Sequence, residues 1–400
     1  MTGPEFRAEA EGLAAQLVGW RRDLHQHPEL AFRETRTADL VARLLTALGI
    51  EVRTRVGRTG VVGLLRGAQA APTVMLRADM DGLPIQENSD APYASQVPGV
   101  MHACGHDGHV AILLGAATLL SRHAADLPGN ILFVFQPAEE GLGGASAMLA
   151  DGLLTDPLPA AAFGLHLWNT MPLGRVCAQA GPMMAAADMI QIIVRGRGGH
   201  GALPHEAVDT IAVTGQVLSA LQTIVSRNVD PQETVVLTIG TVHGGTAWNV
   251  IADTVTLEGT IRTFSPAVRE TVVTRLRVLL DGIAAGMGAQ VDLKVEEIAP
   301  AVVNDPGVSE VARAAAVQVV GATSVAWHLP LMVSEDFSEY QHLVPACYML
   351  LGSGNPALGL DASHHSPRFD FDETALPLGA ALMATAAARF LFAGVPQAGS

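Results

Sequence analysis

The residues best suited to chemistry fall in one stretch, Met101-His102-Ala103-Cys104-Gly105-His106-Asp107-Gly108-His109. Cys104 and His106 flank a glycine, so both side chains can face one centre. A thiolate and an imidazole together suit a borderline-soft transition metal better than calcium or magnesium. Further groups are Asp79 and Asp81, the pair Glu139-Glu140, His166, and the doublet His364-His365. Two metals about 3.5–4 Å apart would use about this many donors. In a pair such as Glu139-Glu140, one carboxylate can bind metal while its neighbour deprotonates water. Taken singly, each group has a plainer reading: helix cap, loop charge pair, core histidine or turn aspartate. Cys104 as a nucleophile paired with His106 is the competing chemistry. The surplus of carboxylates and histidines favours a metal. Cys177 and Cys347 read as ordinary buried residues.

The elements around these residues follow from apolar periodicity. Glu5 to Gly19 reads as a helix that continues to a stop at Pro28, and Thr35 to Leu48 as a second one closed by Gly49. Thr73 to Arg77 is a short strand opening onto Asp79 and Asp81, which share one side of an extended chain. Val110 to Ser121 is a helix; Asn130 to Phe135 and Ala161 to Leu167 are apolar strands. Alternation of strand and helix predicts a parallel or mostly parallel α/β sheet, with polar residues gathered past the strands' C-terminal ends. Beyond Gly181-Pro182 the pattern changes to strand Met189–Val194, a glycine-rich loop 195–202, helix Val208–Arg227 and strands Thr234–Thr241 and Thr254–Thr263. Helix Pro266–Gly286 and strand Gln290–Val295 follow. This β-α-β-β-α-β order is the ferredoxin-like unit. It is expected as an α+β insertion at 183–298 between the two parts, 1–182 and 299–400, of the first domain. The strand Ala346–Leu351 belongs to the returning part.

Composition bounds the function. A chain of 400 residues calls for two domains. A formal charge of −15 argues against nucleic acid or an anionic membrane as partner. Three cysteines give no disulfide framework and fit a reducing cytoplasm. Met1 to Glu11 has no apolar core, so no signal peptide is expected there. No unbroken apolar run approaches the roughly 20 residues of a membrane span. Lys294 is the single lysine, which disfavours Schiff-base chemistry.

Seven segments, taken together, resemble the M20 metallopeptidase family in its amidohydrolase branch, which includes hippurate hydrolases, N-acyl-amino-acid deacetylases and auxin-conjugate (IAA-amino acid) hydrolases. They are 22–29 (RDLHQHPE), 77–84 (RADMDGLP), 101–109, 136–141 (QPAEEG), 199–205 (GHGALPH), 334–337 (SEDF) and 365–367 (HSP), in family order over nearly the whole chain. The resemblance implies a zinc-peptidase-like catalytic domain and an inserted lid and dimerisation domain. It implies two divalent metal ions per subunit, from zinc, manganese, cobalt or nickel. Their ligands would be Cys104, His106, Glu140, His166 and His365, with His364 open as the alternative to the last. Glu139 would be the general base, and Asp81 would orient a metal-binding histidine, with Asp79 standing where other branches place a ligand. His200 would reach the oxyanion, in the partner subunit's site, while Asn249 and Arg262 would hold the substrate carboxylate.

The implied activity is metal-assisted hydrolysis of N-acyl amino acids by a cytoplasmic homodimer or homotetramer. A dipeptidase or carboxypeptidase of the same family is the nearest competitor. A non-catalytic metal-binding homologue and a cysteine-nucleophile amidase are the alternatives of other kinds.

Overall fold

The protein is described here by a computed structural model covering residues 4–70, 72–328 and 330–393. The outermost parts of the expected segments 1–182 and 299–400, including Met1 to Gly3 of the N-terminal stretch, lie outside the described residues. The chain divides into two compact units. One lies within Met1–Met183, Val303–Leu329 and Asp336–Ser400; the other is Met184–Val302 with Pro330–Glu335.

The first unit is built on an eight-stranded sheet. Its order is Glu51–Val56, Gly60–Leu65, Asn130–Gln136, Thr73–Asp79, Ala161–Pro172, Ala346–Gly354, Val176–Cys177 and Val325–Ala326. The four central strands, from Asn130–Gln136 to Ala346–Gly354, are parallel, and every residue of the three besides Ala161–Pro172 is buried. That explains their continuous apolar runs, since both faces are covered. The first two strands form an antiparallel hairpin at one edge. The outer strand's short, charge-interrupted sequence EVRTRV carries no readable strand signal.

The N-terminal helix is broken at Leu13 into Arg7–Gly12 and Ala14–Gln26, a difference from the single helix expected. The helix expected at Val110 begins instead at His106, because Gly105 takes a left-handed conformation (φ 92°) and turns the chain into it. Cys104 therefore stands at the helix entrance, and His106, Asp107 and His109 occupy its first turn. Helix Ala375–Ala393 is long and apolar enough to cross a membrane by length and composition, but 78% of its apolar window is buried inside the protein. It packs on helix His106–Arg122 within the core.

The second unit runs strand Ala186–Arg195, helix Thr210–Asn228, strands Val235–Gly244 and Thr254–Thr263, helix Pro266–Met287 and strand Gln290–Ala299. All pairs in its four-stranded sheet are antiparallel, and two helices cover one face through their own apolar core. Asp209 and Ser265 cap the two helices by accepting backbone N–H groups.

Phe390 tests the core of the first unit. It is fully buried and meets Phe163 edge-on, with ring centroids 6.3 Å apart. Phe390→Ala is expected to cost about 3–5 kcal/mol, read by denaturant unfolding. A loss below about 1 kcal/mol would show that the contact is dispensable.

Candidate metal centre

The candidate donors converge because strand ends and one helix entrance meet at the same edge of the parallel sheet. Strand Thr73–Asp79 delivers Asp79 and, two residues on, Asp81. Strand Asn130–Gln136 leads into Glu139 and Glu140, and strand Ala161–Pro172 carries His166. Groups of donor atoms lying within 4.8 Å of one another are Cys104 with His106 and His166, Cys104 with Glu140 and His365, and His106 with Glu139 and Glu140.

Hydrogen bonds decide which nitrogen of each ring faces the centre. The carbonyl oxygen of Asp81 accepts from His106 Nδ1 at 2.9 Å, which leaves the lone pair on Nε2. His106 Nε2 is buried without a hydrogen-bond partner, and lies 4.0 Å from both Glu139 Oε2 and Glu140 Oε1. His166 Nδ1 donates to the Leu167 carbonyl at 2.6 Å, so its Nε2 faces Cys104 Sγ at 3.6 Å. Burial holds His166 well below the usual imidazole range, in its neutral form. Burial opposes charge on His106 too, but Asp79 and Asp81 outweigh it and hold its pKa well up. Glu140 Oε1 is also buried without a hydrogen bond, 3.2 Å from His365 Nε2. Two atoms without a hydrogen bond, His106 Nε2 and Glu140 Oε1, beside a thiol and further imidazoles make a donor set that a divalent transition-metal pair fits.

The doublet separates. His364 Nε2 donates to the Leu167 carbonyl at 3.0 Å and its ring stacks on Trp168 at 4.5 Å, with burial pushing it down to about 4. His365, in a left-handed conformation, is the one beside Glu140. Cys104 and Glu140 push it up to about 10.

The Asp81 carboxylate is engaged as well as its carbonyl. Its two carboxylate oxygens accept the N–H groups of Glu139 (3.0 Å) and Glu140 (3.1 Å). Asp79 is committed elsewhere: it accepts from Arg77 Nη1 at 2.7 Å and from His109 Nδ1 at 2.6 Å. His109 Nε2 in turn accepts the Leu167 N–H at 2.9 Å. Both ring nitrogens of His109 are thus used, which removes it as a donor although it lies near Asp79 and His106.

In the second unit His200 is exposed and lines a groove of about 660 Å³ together with Asn249. Its Nδ1 accepts the Ala202 N–H at 3.1 Å. Arg262 does not line that groove; it is half-buried and donates to Ser334 Oγ at 2.8 Å.

Sequence reading gave no role to a buried charge cluster behind the helix entrance. Arg21 donates to Asp107 at 2.8 Å and to Asp370 at 2.6 Å, and His25 Nδ1 donates to Asp107 at 2.8 Å. Burial alone would raise Asp107, but Arg21 and His25 hold its carboxyl well below the usual range. His25 lies within the segment 22–29 that carries the family resemblance, which was the available signal.

Residues 75–389 match Peptidase family M20/M25/M40. The chain belongs to that family. An N-acetylcysteine deacetylase of Bacillus subtilis is 41% identical over 362 residues, 90% of this chain and 93% of its own length. Thermostable carboxypeptidase 1 of Saccharolobus solfataricus is 40% identical over 379 residues, 94% of this chain and 95% of its own. A crystal structure of a dinuclear metal-binding M20 peptidase from Bacillus subtilis superposes with a TM-score of 0.85 at 36% identity, covering 96% of this chain and 99% of the other. This M20 protein is a metal-dependent hydrolase of amide bonds that works with two divalent ions, which sets aside the non-catalytic alternative.

The buried cluster makes a pH-dependent contribution to stability. Burial opposes charge on His25, but Asp107 and Glu87 raise its pKa from 6.5 to about 8. A raised folded pKa stabilises fully below the unfolded value and loses that contribution as pH rises through about 8. The melting temperature of His25→Gln should fall furthest below wild type near pH 6, and the gap should narrow by pH 9. A gap constant across that range would show His25 to be uncharged in the folded protein.

Proposed function

We propose that this M20 hydrolase cleaves N-acyl amino acids to a carboxylic acid and a free amino acid. The observation that carries the reading is the meeting of Cys104, His106, Glu140, His166 and His365 beside Glu139. The N-acetylcysteine deacetylase at 41% identity supports the substrate class. We assign Cys104, His106, Glu140, His166 and His365 as metal ligands, with Asp81 as the group that orients His106. These residues would hold two divalent ions, whose Lewis acidity would polarise the amide carbonyl and lower the pKa of a bound water. Glu139 takes a proton from the attacking water on its carboxylate and passes it to the leaving amine. Asp81 holds the Glu139 and Glu140 amides, so the base and its neighbour keep fixed positions. Burial of Cys104 raises its thiol pKa, so ligation displaces a proton from it.

In the second unit, His200 is assigned to stabilise the oxyanion, and Asn249 and Arg262 to hold the substrate carboxylate. The unit is assigned as the lid and dimerisation domain of a homodimer or homotetramer. Three unpaired cysteines support a cytoplasmic protein. A second reading, a carboxypeptidase or dipeptidase, is favoured by the 40% identity to the Saccharolobus carboxypeptidase.

Hydrolysis of hippurate, N-acetyl amino acids and dipeptides by chelated and metal-restored enzyme separates these readings. Restored cleavage of the acyl amides, abolished in Glu139→Gln, is expected. Preference for dipeptides would select the second reading, and cleavage that ignores chelation would return attention to Cys104 as nucleophile. His200→Ala should lower kcat by about 10²–10³ with both metals retained. Unchanged kcat in that variant would remove His200 from the mechanism.

A further inference from the structure

The loop bearing Glu139 and Glu140 follows a path that needs support from outside. Ala138 adopts a left-handed conformation (φ 54°) although it is not glycine. The loop then turns back so tightly that a Cβ on Gly144 would stand 1.6 Å from the Pro137 carbonyl oxygen. Ala138 is fully buried, so its N–H has no water to turn to. That N–H donates to Glu34 Oε1 at 2.9 Å. Three successive amides, those of Ala138, Glu139 and Glu140, thus end on two buried carboxylates, Glu34 and Asp81.

Glu34 is itself fully buried and far from that loop in sequence. Its Oε1 also accepts the Phe32 N–H at 2.9 Å, and its Oε2 accepts from Thr59 Oγ1 at 2.6 Å. Phe32 shares the left-handed conformation (φ 59°). One side chain therefore joins three separate turns. Burial raises the Glu34 pKa and the nearby Asp81 charge adds to the rise, so keeping a carboxyl here has an electrostatic cost.

We propose that Glu34 is a positioning residue for amide hydrolysis. By holding the Ala138 amide it fixes the peptide 138–140, and with it the directions of the Glu139 and Glu140 side chains. The inference rests on the assignment of Glu139 as base and Glu140 as ligand. Hydrogen-bond geometry, rather than charge, is the property required. A glutamine can accept from Ala138 and Phe32 through its oxygen and donate to Thr59, whose hydroxyl can rotate to accept. An alanine supplies none of these bonds, and Thr59→Val removes only the bond that steadies the outer oxygen.

The test compares Glu34→Ala, Glu34→Gln and Thr59→Val with wild type and Glu139→Gln, all as metal-saturated full-length enzyme. Steady-state kinetics on an N-acetyl amino acid are read beside hydrogen exchange of the peptide covering residues 137–143. Glu34→Ala is expected to lose about 10²-fold in kcat with KM little changed, as for a misplaced catalytic group. Exchange of 137–143 should quicken in that variant while the sheet strands keep their protection. Glu34→Gln should stay near wild type in both readouts, and Thr59→Val should fall between. If Glu34→Ala does not fold, a wild-type-like Glu34→Gln with an intermediate Thr59→Val still supports the role. The proposal is overturned if Glu34→Gln is as slow as Glu34→Ala, which would make charge the active property. It is equally overturned if Glu34→Ala or Thr59→Val matches wild type in exchange and kcat. Activity persisting in Glu139→Gln would instead overturn the assignment of the base, while exchange alone would still report whether Glu34 holds the loop.

Discussion

The centre of this protein depends on burying charge, and burial makes every unpaired polar group costly. His106, His166 and Asp81 are each at most 5% exposed, at the end of a sheet whose strands Thr73–Asp79 and Asn130–Gln136 are buried throughout. Ring nitrogens that face away from the centre have protein partners. The Asp81 carbonyl takes one nitrogen of His106, the Leu167 carbonyl takes one of His166, and Asp79 with the Leu167 amide takes both of His109. His106 Nε2, without a hydrogen bond, and Glu140 Oε1, with only His365 Nε2 at 3.2 Å, face the place where cations belong. Subtraction of satisfied atoms thus defines the centre more sharply than proximity does.

The sheet makes that subtraction possible. Parallel strands end on the same edge, so Asp79, Asp81, Glu139 and Glu140 emerge together without long loops. The helix starting at His106 enters the same edge, with its first turn locked from behind by Asp107 on Arg21 and His25. Arg21 carries its charge fully buried because Asp107, Asp370 and Glu373 surround it. That cluster and the Arg77–Asp79 pair flank the donors and hold them in position. Rigid support of this kind is what reaction geometry requires, since small displacements of a base are costly in rate.

Much of this was legible from residue types alone. Cys104, His106, Glu139, Glu140 and His166 were recognisable because thiol, imidazole and carboxylate recur just past apolar strands. The alternation of strand and helix, and the switch to β-α-β-β-α-β beyond Gly181, follow from apolar periodicity. The hairpin Glu51–Leu65 was missed because its strands are short and the outer one is exposed and charged. The start of the central helix was placed four residues late, since polar first-turn residues mask the period that identifies a helix.

By itself the sequence determined the element types, the family and the inventory of donors, because these depend on local pattern and side-chain chemistry. Only the tertiary structure decided which members of that inventory are free. His109 and His364 have the same chemistry as His106 and His365, and sit beside them in the chain. They are spent on Asp79 and the Leu167 amide, and on the Leu167 carbonyl, respectively. Glu34 and Arg21 gave no signal as supports, since their partners lie 104 and 86 residues away and meet them only after folding. A lone pair is committed by its neighbours in space, and the chain brings those neighbours together only in the folded protein.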